Sequence, residues 1–68
     1  MSRHDQVNMT VAFRHATRNG VCITEDGERD VWLPRMLVAF DGDLGLLTKD
    51  ELIEISIPEW LAFSRGLI

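Results

Sequence analysis

Two stretches of this chain alternate strictly between apolar and polar residues. From Gln6 to Arg14, Val7, Met9, Val11 and Phe13 fall on one side and Asn8, Thr10 and Ala12 on the other. From Glu51 to Ile57, Ile53, Ile55 and Ile57 oppose Glu54 and Ser56. A period of two is that of a half-buried strand, and β-branched isoleucines suit a pleated surface. Between these stretches the pattern is broken by turn residues. Ala16 to Gly20 ends in Asn-Gly and Asp26-Gly27 follows, both favoured in two-residue hairpin turns. They delimit strands at Val21–Glu25 and Glu28–Leu33. In the latter, Val31 and Leu33 share one face and Asp30 and Trp32 the other. The first three strands therefore read as a tight antiparallel meander.

Pro34 ends the third strand, since it has no N–H for a ladder. Arg35–Leu37 is expected to make one helical turn or a bend, and Val38–Phe40 a fourth strand. Asp41 to Gly45 is a turn with two glycines, and Thr48 to Asp50 a polar loop tip. The final strand meets Pro58, which is tolerated where a helix begins. Ser56 and Glu59 have the spacing of a capping box, and Trp60, Phe63 and Leu67 share a face by i, i+3, i+7 spacing. This assigns Trp60 to the core. Gly66 is expected to stop the helix in a left-handed conformation, with Leu67 folding back toward Leu61 or Ala62. The pattern predicts an α+β fold: a small curled antiparallel sheet of about five strands, a partly open barrel, closed by one short C-terminal helix. No segment repeats and no linker divides the chain, so residues 1–68 make one domain, with residues 1–5 a flexible arm.

Sixty-eight residues bury little, because a chain of this size hides only about 60% of its unfolded surface. Either a monomer or a homodimer fits. The lone Cys22 excludes an internal disulfide and makes a reducing, cytoplasmic setting the expectation. Met1 to Thr10 lacks the apolar run of a signal peptide, and no segment has the length of a membrane span. At 46% hydrophobic residues the chain is too apolar to be disordered.

Charge is unevenly spread. The net charge is −4, and residues 25–59 hold ten of the eleven acids. An acidic bias disfavours direct nucleic-acid binding and favours a basic partner. Glu25, Asp26, Glu28, Asp30, Asp41 and Asp43 are the candidate partner-binding acids, with Trp32 as an anchor if it shares their face. Clustered, such acids could imitate a phosphate track; scattered, they are a solvated surface. Asp41-x-Asp43 fails as a calcium loop, because its sixth and twelfth positions are Leu46 and Leu52, not Gly and Glu. His15 and Cys22 could meet across a hairpin, but nothing marks an orienting group or an oxyanion site. No metal, cofactor or catalytic residue is expected. The competing reading is a nucleic-acid-binding or replication-associated module using Arg3, Arg14 and Arg18 around an exposed Trp32.

Val31-Trp32-Leu33-Pro34, the Asp26-Gly27-Glu28 turn, Ile57-Pro58-Glu59-Trp60-Leu61-Ala62 and the final Gly66-Leu67-Ile68 resemble a group of short uncharacterised proteins encoded by bacteriophages and prophages. The resemblance covers about residues 20–68. It departs where Met36 and Leu37 follow Arg35, a stretch that is polar in that group. The resemblance implies a mobile-element accessory protein, a setting in which very small acidic proteins often inhibit host defence, anti-CRISPR proteins among them. The expected function is a non-enzymatic inhibitor that binds the basic nucleic-acid-binding surface of a host protein.

Overall fold

The computed structural model describes residues 5–68. Four strands form one open antiparallel sheet: β1 (Gln6–Ala16), β2 (Gly20–Thr24), β3 (Val31–Pro34) and β4 (Leu52–Pro58). Their order is β3-β2-β1-β4, so the expected meander of the first three strands is present. The C-terminal helix α1 (Glu59–Ser64) follows β4 without a break. The expected frayed arm lies outside the described residues except for Asp5, whose C=O accepts the Glu59 N–H at 3.1 Å.

One face of the sheet carries the core. Val11 and Phe13, Val21 and Ile23, Val31 and Leu33, and Ile53, Ile55 and Ile57 are all buried there, as their alternation requires. The residues from Arg35 to Leu47 cross this face from the β3 edge to the β4 edge, and Leu37, Val38, Phe40, Leu44 and Leu47 pack on the core. Arg35–Leu37 forms a single 3-10 turn, in line with the expected bend.

The fifth strand is not formed. Of Val38–Phe40 only Ala39 pairs, exchanging both main-chain bonds with Ser56 at 2.8 and 2.9 Å. Extending that register would set Asp41 opposite Glu54, and facing carboxylates destabilise a ladder. The chain swings away instead, and the sheet stays open with β3 and β4 at its edges. The Glu28–Leu33 strand is likewise shortened. Glu25–Asp30 is a loop, held by Asp26 Oδ1, which accepts the N–H groups of Glu28 and Arg29 at 2.9 and 3.0 Å. A two-residue turn would leave those N–H groups to strand pairing; the aspartate captures them first.

Asn19-Gly20 also acts differently from a two-residue turn. Gly20 is the first residue of β2, opposite Pro34, and has no positive φ. Trp32 lies over it: a Cβ there would meet Trp32 Cε3 at 3.1 Å. The glycine makes room for a ring.

Helix α1 buries Leu61 and Ala62, leaving Trp60 58% and Phe63 74% exposed. Trp60 is therefore a surface residue, against expectation. The i+7 relation fails because the helix stops at Ser64, before Leu67. Gly66, at φ +74, turns the chain; its N–H bonds the Phe63 C=O at 3.1 Å, and the Leu67 N–H bonds the Ala62 C=O at 2.8 Å. This is the expected glycine stop, with Leu67 folded back and buried. The capping box is absent. Pro58 is the N-cap, so Ser56 lies too early in the chain to reach the helix and sits in β4.

Candidate functional site

The face of the sheet away from the core is built around a bulge. Phe13 pairs with Ile23 and His15 with Cys22, so Arg14 is the extra residue. Phe13 and Ala16 both pack inward, which leaves Arg14 and His15 on the outer face. Arg14 gathers two loops there, the β2–β3 loop and the loop before β4. Its Nη1 donates to Asp50 Oδ1 at 2.6 Å and its Nη2 to the Gly27 C=O at 2.6 Å. Its Nε stands 3.3 Å from Asp30 Oδ1, an ion pair whose geometry misses a hydrogen bond. Asp50 reaches Arg14 from a positive φ of 70°, a conformation aspartate tolerates better than most residues. The Arg14 side chain is only 19% exposed.

The same bulge brings His15 and Cys22 side by side. Cys22 also pairs with Trp32, and His15 meets the Trp32 ring edge-on at 6.2 Å. The thiol is buried between them. Burial first, and then the Asp30 carboxylate, push its pKa up, opposed only by Arg14. A nucleophilic thiol needs the opposite shift. The pair has the proximity but not the polarisation of a catalytic dyad.

Glu25 and Glu28 are exposed in the β2–β3 loop, and neither carboxylate has a hydrogen-bonding or ionic partner among the described residues. Asp26 is folded into that loop: the N–H groups of Arg29 and Glu28, with the Thr24 hydroxyl, lower its pKa to about 2. Asp30 is paired with Arg14. Trp32 is 49% exposed on the outer face. Asp41 and Asp43 belong to a second group beyond the β4 edge. Asp43 Oδ1 accepts the Gly45 N–H at 2.8 Å and so caps the 3-10 turn Leu44–Leu46. Asp41 shares a groove with Glu54, Ala39 and Ser56. The acids thus form two groups, one on the β2–β3 loop and one beside β4, and not a single track. Sequence reasoning overlooked Glu54, although its place on the polar face of the final strand marked it as exposed.

Four of the described arginines are turned to internal use, while Arg18 is exposed with no side-chain bond among the described residues. Arg14 donates to the Gly27 C=O, Arg29 to the Arg65 C=O, Arg35 to the Thr17 C=O and Arg65 to the Trp32 C=O. Each fastens one loop to another segment. The Arg29 contact also lies at the helix C-terminus, where a cation is favoured. Among the described residues, no group of three or more His, Cys, Asp or Glu is close enough to hold a metal ion, and no helix is long and apolar enough to cross a membrane. No protein-family model, curated protein or solved structure matches the chain.

Proposed function

We propose that this protein is a small non-enzymatic inhibitor from a phage or related element. It binds the basic nucleic-acid-binding surface of a host protein, with a CRISPR effector as the leading candidate, and blocks access of nucleic acid. The observation that carries this reading is the division of charge. Four arginines are bonded to main-chain carbonyls, whereas Glu25, Glu28, Asp41 and Glu54 face solvent without a partner among the described residues. The outward field is therefore acidic, and such a field speeds encounter with a basic surface and repels phosphate. The resemblance of the Val31–Pro34 and Ile57–Ala62 segments to phage-encoded proteins supplies the setting.

Charge reversal tests the mechanism. Asp30 and Asp43 are poor choices, because each supports a loop. The informative pairs are Glu25→Lys with Glu28→Lys, and Asp41→Lys with Glu54→Lys. At least one pair should weaken binding to the purified target by about tenfold or more while leaving the thermal midpoint unchanged. Unaltered affinity in both would sink the charge mechanism. The competing nucleic-acid reading loses Arg14, which is committed to Asp30 and Asp50. Steep salt-dependent binding to an oligonucleotide would revive it.

A further inference from the structure

The two edges of the sheet are treated differently. β3 is short, ends in Pro34, and has the Trp32 C=O taken by Arg65 Nε at 3.0 Å. Such devices keep an edge from pairing with another chain. β4 has seven residues and one bridge. Ser56 turns its N–H and C=O away from β1, toward Ala39. Main-chain groups alternate sides along an antiparallel strand, so those of Leu52 and Glu54 face the same way as those of Ser56. Among the described residues neither has a partner on that side.

The space beside this edge is a groove of about 380 Å³ between β4 and the departing Ala39–Asp41 segment. Asp41 and Glu54 stand on its walls. Leu52, at the open end of the strand, is 72% exposed. The groove offers two carboxylates, and the strand edge beside it adds unpaired main-chain groups and the exposed Leu52 side chain.

We infer that the outer edge of β4 at Leu52–Glu54 takes an extended basic strand from a partner protein, which joins the sheet by main-chain pairing. The pairing supplies affinity, and Asp41 and Glu54 select lysine or arginine side chains. A second copy of this chain is a worse occupant, because it would bring the same carboxylates into the groove. Nucleic acid is excluded by its phosphates. The inference deepens the reading proposed above, since it names how a basic partner would be held.

The test uses the whole chain, isotopically labelled, with amide exchange read residue by residue. The probe is a short peptide of alternating lysine and valine, and the control alternates glutamate and valine. At about ten times its Kd the lysine peptide should slow exchange of the Leu52 and Glu54 amides about tenfold. The glutamate peptide should do nothing. Glu54→Pro removes an N–H that does not bond β1, so it should abolish the protection; if it unfolds the chain, Glu54→Lys decides by weakening the lysine peptide alone. Protection by both peptides, protection confined to other amides, or protection that rises with protein concentration without peptide would each overturn the inference. Host-protein binding that survives Glu54→Pro but is lost on Glu25→Lys with Glu28→Lys would overturn the edge and leave the inhibitor reading standing. Edge binding without any host partner would do the reverse.

Discussion

Arg14 is a single residue inserted into β1, and two loops meet on its guanidinium. Its carboxylate partners are more than half exposed, at 55% and 59%, so the ion pairs themselves contribute little. The bond to the Gly27 C=O and the shielded stem add to them. Arg14→Met should cost about 1–2 kcal/mol in urea denaturation. An unchanged midpoint would show that the two loops are held without it. Asp26 makes a statement about pH. Its pKa is lowered to about 2, so its contribution is complete above the ordinary value of 3.8 and is lost as pH falls toward 2. Amide spectra of Glu28 and Arg29 should titrate in that window, and Asp26→Asn should flatten the response. Cys22 shifts the other way. With its thiol buried and held protonated, the native protein should react with a thiol reagent far more slowly than the unfolded chain. Equal rates at neutral pH would contradict the burial.

At the scale of elements, the strands were legible wherever alternation was strict. β1 and β4 follow from Val7 to Phe13 and from Ile53 to Ile57. What failed to show in the sequence depends on contacts between segments. Nothing local in Val38-Ala39-Phe40 says that Asp41 would then face Glu54. Nothing in Asn19-Gly20 says that a tryptophan twelve residues further on needs the glycine's open side. The face of α1 was misread because spacing was counted through Gly66, past the end of the helix. That correction is directly testable. Leu61→Ala should cost about 2–4 kcal/mol, and Trp60→Ala should stay within about 1 kcal/mol of the parent. Reversed magnitudes would restore Trp60 to the core. The loop before β4 offers a second contrast. Asp50→Gly and Asp50→Ala both lose the Arg14 pair, but only alanine retains a Cβ at φ 70°. The glycine variant should be the more stable by about 1 kcal/mol.

For the molecule as a whole, the acidic bias was legible in the sequence, and its arrangement was not. Composition put ten acids between residues 25 and 59. The fold spends Asp26, Asp30, Asp43, Asp50 and Glu51 on local structure and leaves Glu25, Glu28, Asp41, Glu54 and Glu59 to solvent, on the β2–β3 loop, beside β4 and at the start of α1. The roles of Arg14, Arg29, Arg35 and Arg65 were beyond sequence reasoning for the same reason, since each of these guanidiniums is fixed by a carbonyl from a distant segment. The result is a scaffold that four arginines help to hold together and from which half of these acids face outward. The central claim is that this surface recognises a basic protein and not a nucleic acid. Affinity capture from a bacterial lysate, run with and without nuclease and read by mass spectrometry, tests it most directly. The account predicts a basic nucleic-acid-binding protein that is retained after nuclease treatment and displaced by added nucleic acid. Capture that disappears with nuclease would mean that the domain rides on nucleic acid itself, and would contradict it.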